Sequence, residues 1–287
     1  MRVAILGFGL IGGSLVRALA AAADRDAWSI AAWSPTGEGT RLAAADGVIE
    51  LAARSAAEAL EGAELVVLAA PPTATLSLIE RLGDGLGAAV EGGAVITDVA
   101  STKGAIVAAA AERGMRFVGG HPMAGRETTG YAAGTADLFA GRPWVVVPID
   151  PDDQAAILAV ETLAVAAGAR PVRMSAAEHD AAVAAVSHLP LIVAAALVES
   201  VAGDSDWPSA RRLAASGWRD MTRLARGDVA MGSGITATNA PAIAARLQRF
   251  RAAIDDWLAE LENQGGPDET ALADRLAAAR DRLGDAP

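Results

Sequence analysis

A glycine-rich segment near the amino terminus constrains the fold of this chain more than any other feature. Gly7, Gly9 and Gly12 form a G-x-G-x-x-G pattern that directly follows the apolar run VAIL and precedes a helical stretch, residues 14–23. In that setting the first glycine permits a tight turn, the second lets a phosphate approach the backbone, and the third allows close packing of helix on strand. The segment therefore predicts a dinucleotide-binding domain of the Rossmann type.

The two residues between the last glycines, Leu10 and Ile11, lie just before the predicted helix. The N–H groups and the dipole at a helix N-terminus favour the phosphates of a cofactor, so both residues belong to the predicted site. The same segment superficially resembles a secretory signal, because an apolar stretch follows Met1 and Arg2. The glycines interrupt that stretch, and the cofactor interpretation explains them better.

Short apolar runs separated by helical stretches continue through the first half of the chain. They cover residues 3–6, 28–33, 65–69, 94–97, 116–118, 144–147 and 169–174. Nearly all-apolar strands that alternate with helices indicate a parallel sheet covered on both faces. Right-handed crossovers between such strands build a doubly wound domain. We expect this α/β domain to occupy residues 1–174.

The sequence changes in character at Ser175. Beyond it no strand pattern follows, and Gly, Pro and Asp separate stretches that are typical of helices. These stretches are residues 176–202, 206–226, 239–262 and 268–283. The predicted fold class is therefore α/β: an N-terminal Rossmann-type doubly wound parallel sheet, followed by an all-helical domain at residues 175–287.

The composition excludes several kinds of protein. Hydrophobic residues make up 52% of the chain, which supports a packed core and excludes a disordered chain. The net charge of −11 argues against a nucleic-acid partner, whose phosphates need clustered Lys and Arg. The lack of cysteine excludes disulfides and thiolate metal sites and fits a cytoplasmic location. No uninterrupted apolar run approaches the ~20 residues that span a bilayer, so we expect no membrane partner.

The end of the second predicted strand bears on the choice between NAD and NADP. An NAD site usually has Asp or Glu there, about 20 residues beyond the glycines, to bind the ribose 2′-hydroxyl. Ser34 occupies this place, 22 residues after Gly12, and no acid stands at the strand end. A hydroxyl tolerates a 2′-phosphate that a carboxylate would repel, and Arg41 is close enough in sequence to be its counter-charge. We predict a preference for NADP.

Two loops with chemically active side chains follow neighbouring predicted strands. They are TDVASTKG at 97–104 and GHPMAGRE at 120–127. Open α/β sheets bind ligands at the carboxyl ends of their strands, where both loops lie. His121 is a candidate acid–base group, because imidazole titrates near neutral pH. Further candidate segments in the helical part are EHD at 178–180, SHLP at 187–190 and GWRDMTR at 217–223.

Together these segments resemble the prephenate/arogenate dehydrogenase family. The resemblance covers residues 1–226 and is carried, in the family's order, by GFGLIGGSL, D-V-x-S-x-K-G, H-P-M-A-G-x-E, S-H-L-P and R-D-M-T-R. It implies a Rossmann domain followed by a helical dimerisation domain, which agrees with the division above, and a homodimer. It also implies an enzyme that uses NAD(P) to oxidise and decarboxylate a cyclohexadienol acid, which makes the aromatic ring of tyrosine.

The resemblance implies roles for individual residues. His121 would accept the proton of the ring hydroxyl while hydride leaves the carbinol carbon, and Ser101 would orient this histidine. Arg223 would hold the side-chain carboxylate of the substrate, a task suited to a planar bidentate donor. His188 would lie in the substrate pocket, and Glu127 at its entrance.

Two further points concern the helical part. Asp220 lies three residues before Arg223, on the same helical face, and would fix its guanidinium, with a surface ion pair as the alternative. His179 and His188 are nine residues apart, which puts them on opposite faces of a regular helix. We therefore expect no metal site, and His179 has no assigned role.

Several alternatives stay open. After Arg226 the family commonly has a Met-Trp pair near the pocket, whereas this chain has MGSG at 231–234. Prephenate, arogenate and an amino-substituted ring analogue are therefore all candidate substrates. A β-hydroxyacid dehydrogenase or imine reductase would share the glycine pattern, but such enzymes usually rely on a Lys or Asp of the helical domain. A protein that only senses dinucleotide would need none of His121, Ser101 and Arg223.

Overall fold

The computed structural model describes residues 1–89, 92–126 and 128–284. Glu127, one of the predicted site residues, lies outside the described residues. The chain divides into two compact units, Met1–Ala242 and Ile243–Pro287. The first unit contains the whole described sheet and the predicted site residues that the structure describes.

The first unit is built on an eight-stranded sheet. Its strands are β1 (Arg2–Leu6), β2 (Ser29–Trp33), β3 (Leu51–Ala52), β4 (Leu65–Leu68), β5 (Val95–Asp98), β6 (Phe117–Pro122), β7 (Pro143–Pro148) and β8 (Arg170–Arg173). They lie in the order β3-β2-β1-β4-β5-β6-β7-β8, and neighbouring strands are parallel except β6 and β7. The order reverses at β1, which is the switch point where a doubly wound sheet binds its ligand. The predicted fold class is confirmed.

Two strands differ from the prediction. β3 is two residues long, too short to show a strand pattern, and was not predicted. β7 pairs antiparallel with β6, with His121 opposite Val145, although the sequence predicted a wholly parallel sheet. Parallel pairing needs a crossover element. The described residues that connect β6 to β7 contain only a 3-10 turn, Tyr131–Ala133.

Helices cover both faces of the sheet. They are α1 (Leu10–Ala21), α2 (Glu38–Ala45), α3 (Ala56–Leu60), α4 (Pro72–Gly83), α5 (Gly104–Glu112) and α6 (Gln154–Ala166). Alternate residues of β1 enter two separate cores, Val3 and Ile5 on one face and Ala4 and Leu6 on the other. All four are fully buried, and burying an Ile or Leu side chain contributes about 1.5–3 kcal/mol. This two-sided burial explains why the strands are nearly all apolar.

The helical part of the first unit is more broken than the sequence predicted. It comprises α7 (Ala176–Val183), α8 (Leu189–Ala202), α9 (Trp207–Ala210), α10 (Ser216–Thr222) and α11 (Val229–Thr238). A π-helical turn, Ala184–His188, separates α7 from α8. Pro190 follows at the start of α8. Its missing N–H removes one helical hydrogen bond to the preceding turn, which accounts for the wider turn. Similarly, 3-10 turns at Arg211–Leu213 and Arg223–Arg226 interrupt the predicted helix 206–226.

The continuous stretch Ala176–Ala202 is long and apolar enough to cross a membrane by length and composition alone. The sequence analysis expected no segment of this kind. Its polar residues are few, however, and the mean hydropathy of its most apolar window is 2.2. The stretch carries His179, Asp180 and His188, which are buried and hydrogen-bonded within the first unit. Such contacts are those of a packing helix in a folded domain. Since 22% of its most apolar window is buried within the chain, an apolar flank stays exposed.

The second unit consists of α12 (Ala240–Leu261), apart from its first residues, and α13 (Glu269–Leu283). The Asp268 carboxylate caps the start of α13. The Arg275 guanidinium lies 4.3 Å from the ring centroid of Trp257 and donates to the carbonyl oxygen of Ala253. These contacts hold α13 against α12.

Candidate active site

The glycine segment has the geometry expected of a pyrophosphate site. Gly7 has a φ of +92°, and a Cβ there would lie 2.5 Å from the carbonyl oxygen of Ala69, so only glycine fits. A Cβ on Gly12 would lie 3.2 Å from the carbonyl oxygen of Gly7 and 3.6 Å from Cγ2 of Ile5 on β1, so α1 packs closely there. A Cβ on Gly9, by contrast, would meet nothing within 4 Å. The N-terminus of α1 has no side-chain cap, so its N–H groups and the space beside Gly9 are open to a phosphate.

A cavity of about 320 Å³ lies beside the end of β2. Its lining residues are Trp33, Ser34, Pro35, Thr36, Gly37, Thr40, Arg41, Ala52, Ala53 and Arg54. Ser34 is buried, and its hydroxyl has no hydrogen-bond partner within the described chain, which marks a place for a polar ligand. Arg41 and Arg54 are the charged residues of the lining, and none of its residues is an acid. The sequence analysis missed Arg54, because it follows the unpredicted strand β3.

Tyr131, another residue that the sequence analysis missed, holds the glycine segment from outside. Its buried ring stacks on Phe8 with the centroids 5.6 Å apart, and the Arg17 guanidinium lies 4.2 Å from its centroid. The Tyr131 hydroxyl donates to a carboxylate oxygen of Asp46 at 2.6 Å. Burial and this hydrogen bond raise the pKa of Tyr131 to about 12, so the phenol stays protonated. The connection between β6 and β7 is thereby anchored on α1.

A buried ion pair shapes the loop after β5. Lys103 contacts Asp98, and both side chains are fully buried. Burial lowers the pKa of Lys103, and Asp98 offsets part of that effect. Asp98 also accepts hydrogen bonds from the backbone N–H groups of Ala100 at 3.0 Å and Gly120 at 3.1 Å. These bonds hold β6 beside β5 immediately before His121.

His121 lies near the carboxyl end of β6 and is 8% exposed. Its Nδ1 is 2.8 Å from Nε2 of His179, whose Nδ1 is 2.8 Å from Oδ1 of Asp180. Burial lowers the pKa of His121 well below the ordinary histidine value. The neighbours that lower it further are His179, Lys103 and His188. His121 is therefore neutral at physiological pH, the state required of a proton acceptor.

Asp180 joins this cluster to the N-terminus of α5. Its two carboxylate oxygens accept the backbone N–H groups of Lys103 at 2.8 Å and Gly104 at 2.7 Å. Burial alone would raise the pKa of Asp180, but hydrogen bonds from His179, Gly104 and Lys103 lower it below its usual value. Asp180 is therefore ionised and docks α7 on α5.

Ser101 was predicted to orient His121. It lies half-buried in the loop between β5 and α5. The structure shows no hydrogen bond from its hydroxyl to another described residue, and His179 is the group that contacts Nδ1 of His121. The orienting role of Ser101 stays a prediction.

His188 ends the π-helical turn and is buried. Its Nδ1 is 3.1 Å from Nδ2 of Asn239, which also donates to the carbonyl oxygen of Asp180 at 3.0 Å. Because an amide NH₂ only donates, Nδ1 accepts, and the proton of the neutral imidazole is on Nε2. Nε2 has no partner at hydrogen-bond distance among the described residues, although the Ser101 backbone is near enough to influence the ring. Mainly through burial, the pKa of His188 is lowered to about 4.

The remaining predicted residues lie nearer the surface. Arg223 opens a 3-10 turn that packs against α8, and its side chain is exposed. Asp220 is exposed near the end of α10, and Leu10 and Ile11 are half-buried in the first turn of α1. The structure thus connects the two predicted histidines, His121 and His188. The connection runs through His179, Asp180 and Asn239, three residues to which the sequence analysis assigned no role.

Two family models match most of the chain. The nucleotide-binding domain of prephenate dehydrogenase matches residues 29–173, and the dimerization domain of prephenate dehydrogenase matches residues 175–276. The first match includes the cavity beside Ser34 and the loop of His121, and the second includes His179 and His188.

Individual relatives agree with these matches. The chain is 34% identical to the prephenate dehydrogenase of Bacillus subtilis (strain 168) over 264 residues, covering 91% of this chain and 68% of that protein. It is 30% identical to the prephenate dehydrogenase of Lactococcus lactis subsp. cremoris (strain MG1363), covering 89% of this chain and 70% of that one. The crystal structure of Synechocystis arogenate dehydrogenase is similar with a TM-score of 0.79 and 29% identity, covering 99% of this chain and 100% of that chain. The chain therefore belongs to the prephenate dehydrogenase family of NAD(P)-dependent oxidoreductases, as its motifs predicted.

Proposed function

We propose that this protein oxidises and decarboxylates prephenate to give 4-hydroxyphenylpyruvate and CO2. The observation that carries the proposal is His121, a buried neutral imidazole at the carboxyl end of β6 that faces the histidines of the helical part. The relatives from B. subtilis and L. lactis are both named prephenate dehydrogenases, which favours prephenate over arogenate. Arogenate and an amino-substituted ring analogue are the alternatives.

The reaction needs a proton acceptor at the ring hydroxyl and a hydride acceptor at the carbinol carbon. The nicotinamide of the bound dinucleotide supplies the hydride acceptor. Nε2 of His121 takes the hydroxyl proton as the carbinol carbon is oxidised. The ring carboxylate then leaves as CO2, its bonding electrons complete the aromatic ring, and His121 returns the proton to the phenolate oxygen. The imidazole is then neutral again for the next turnover.

Groups of the helical part are assigned to substrate binding. Arg223 would hold the side-chain carboxylate, because a guanidinium pairs with a carboxylate through two parallel hydrogen bonds, and Asp220 would orient it. His188 would donate from Nε2, which has no described partner at hydrogen-bond distance and lies near the Ser101 backbone. Because the pKa of His188 is about 4, it acts as a neutral donor and not as a cation. Ser101 belongs to the loop between β5 and α5; because its backbone lies near His188, it is assigned to the same pocket.

We also propose that the enzyme prefers NADP to NAD. Ser34 presents a buried, unpartnered hydroxyl where an NAD site usually has an acid, and two guanidinium groups line the same cavity. Either Arg41→Ala or Arg54→Ala should lower kcat/KM with NADP about tenfold, the value of one hydrogen bond to a charged group, and change kcat/KM with NAD less than about twofold. Arg25→Ala, at an exposed arginine before β2, is the matched control. Equal losses with both dinucleotides would contradict the preference.

We propose a homodimer formed through the helical domain, with the domain boundary between residues 174 and 175. The match to the dimerization domain begins at residue 175. The exposed apolar flank of Ala176–Ala202, where Val186 is 73% exposed, supplies a surface for a second copy. Light scattering should give twice the chain mass of 28.9 kDa, and a monomeric mass would count against the proposal. A cytoplasmic location stays a prediction.

The experiment that tests the function measures reduced nicotinamide formed from prephenate and from arogenate, each paired with NADP and with NAD. The proposal predicts the highest kcat/KM for prephenate with NADP. A higher value for arogenate would reassign the substrate. A folded protein that binds dinucleotide but acts on neither compound would refute the assignment to this reaction.

A further inference from the structure

We propose that His179 and Asp180 are positioning residues for the reaction. They hold His121 in the tautomer that leaves its Nε2 free for the substrate proton, and they supply the negative charge that its cationic form needs. The proposal rests on the proposed function of His121 as the proton acceptor. The sequence analysis assigned His179 no role.

The tautomers follow from the hydrogen bonds. An ionised carboxylate only accepts, so Oδ1 of Asp180 receives the Nδ1–H of His179 across 2.8 Å. A neutral His179 then has no proton on Nε2, and this nitrogen accepts the Nδ1–H of His121 across 2.8 Å. The proton of neutral His121 is therefore on Nδ1. Its Nε2 carries a lone pair, which is the group that a proton acceptor must present.

The cluster is held from several sides. The rings of His121 and His179 meet edge to face, with centroids 5.0 Å apart and an interplanar angle of 75°. His179 is 1% exposed, so water does not compete for its nitrogens. Both carboxylate oxygens of Asp180 accept backbone N–H groups at the start of α5. These contacts fix the orientations of His179 and Asp180, and through them the orientation of the His121 ring.

Among the charged groups around His121, Asp180 is the one that can stabilise its protonated form. Lys103 faces the ring from the start of α5, but Asp98 neutralises it. His188 faces it from the π-helical turn and is itself neutral. Lys103 also interacts with Asp180, but its direct contact is with Asp98, so Asp180 remains the carboxylate that lies on the hydrogen-bond chain to His121. When His121 gains a proton, the hydrogen-bond chain through His179 transmits the positive charge towards Asp180, and a low local dielectric strengthens that effect.

The hydrogen bonds of this cluster join the α/β part and the helical part of the first unit. His121 belongs to β6, whereas His179 and Asp180 belong to α7. The proton acceptor therefore acquires its tautomer only where α7 is docked on α5. A complete active site in this family member thus depends on the helical part for more than substrate contacts.

Nitrogen NMR of the histidine rings tests the tautomers directly, because the chain has three histidines and their ring signals can be resolved by variants. We expect His121 to show a protonated Nδ1 and an unprotonated Nε2 in the enzyme without substrate, and His179 the same pattern. A proton on Nε2 of His121, or a doubly protonated His179, would overturn the inference.

Kinetics of two His179 variants separate positioning from packing. His179→Phe keeps a flat aromatic ring at this place but cannot accept a hydrogen bond. It should lower kcat about 10²-fold while the KM for substrate and the Kd for dinucleotide change less than about twofold. His179→Gln offers a carbonyl oxygen to Nδ1 of His121 and should recover about tenfold of that loss. A Phe variant with kcat near the wild-type value, or a Gln variant no better than Phe, would contradict the proposal.

Glu178→Ala is the matched control for damage to α7. Glu178 completes the capping box with Ser175 and lies next to His179 in sequence but outside the cluster. This variant should lower the Tm and leave kcat and the ring signals unchanged; loss of kcat here would assign the His179 effect to packing. If wild-type protein is inactive with prephenate and arogenate but shows the expected ring signals, the proposed function fails and the tautomer assignment stands. Reversed ring signals in an active enzyme overturn the assignment alone.

Discussion

Alanine substitutions at two glycines of the G-x-G-x-x-G segment should fail in different ways. At Gly7 an alanine must adopt a φ of +92°, which costs an L-residue about 1–2 kcal/mol. Its Cβ would also lie 2.5 Å from the Ala69 carbonyl oxygen, and relieving such overpacking costs typically about 1–3 kcal/mol. Gly7→Ala should therefore lose about 2–5 kcal/mol of stability, equivalent to a Tm lower by roughly 5–15 °C for a chain of this size.

Gly9→Ala should leave the fold intact and damage binding. A Cβ there meets nothing within 4 Å, and replacing glycine by alanine at this N-cap position costs roughly 0.5–1 kcal/mol, because glycine is preferred over alanine there. The new methyl group would occupy the space assigned to the pyrophosphate, and losing one charge-assisted hydrogen bond raises the Kd at least about tenfold.

Thermal unfolding and dinucleotide titration of both variants check this pair. The reasoning predicts a large drop in Tm for Gly7→Ala, and a Tm within about 2 °C of wild type but a raised Kd for Gly9→Ala. Unchanged dinucleotide affinity in Gly9→Ala would show that the phosphates bind elsewhere. An unchanged Tm in Gly7→Ala would show that the backbone of Gly7 does not lie as close to the Ala69 carbonyl oxygen as described.

Three further predictions concern the cofactor cavity, the proton acceptor and the connection between β6 and β7. Ser34→Asp places a carboxylate beside the proposed 2′-phosphate. Repulsion of roughly 3 kcal/mol at 5–6 Å should lower the ratio of kcat/KM with NADP to kcat/KM with NAD about 10²-fold. An unchanged ratio would show that Ser34 does not lie beside the 2′-phosphate. Because the pKa of His121 lies well below the ordinary histidine value, the imidazole stays unprotonated as the pH is lowered to about 6.5. The kcat/KM should stay level over that range and fall only at more acidic pH, so a fall centred on the ordinary histidine value would disagree. Tyr131→Ala removes the ring that stacks on Phe8 and should raise the KM for dinucleotide several-fold more than the KM for prephenate, whereas equal changes would argue against its anchoring role.

Much of the fold could be predicted because the strands are buried on both faces. Val3 to Leu6 and Leu65 to Leu68 are fully buried, and such strands read as short, continuous apolar runs. The glycine segment was equally informative, since a φ of +92° at Gly7 excludes other residue types. The family was predicted from motifs in its loops, and the family models confirm it.

The parts that sequence reasoning missed depend on contacts between distant residues. Nothing in local sequence shows that His179 meets His121, which lies 58 residues away, or that Asn239 contacts His188, which lies 51 residues away. The antiparallel pairing of β7 depends on the path of its connection and not on its apolar pattern. The helix α11 was missed because its two glycines, Gly232 and Gly234, weaken the helical pattern. The close approach of Gly234 to Pro72 supplies a structural reason for one of them, since a Cβ there would lie 3.2 Å from Cδ of the proline.

The most direct test of the central claim is the turnover of prephenate by His121→Asn beside the wild type, with dinucleotide binding measured on the same samples. The account predicts that the wild type forms CO2 and reduced nicotinamide in equal amounts. It predicts that the variant binds dinucleotide with an unchanged Kd but turns over about 10²–10⁴-fold more slowly, the usual contribution of a positioned acid–base group. Turnover within about twofold of wild type would contradict the account, because the buried imidazole would then not be the proton acceptor.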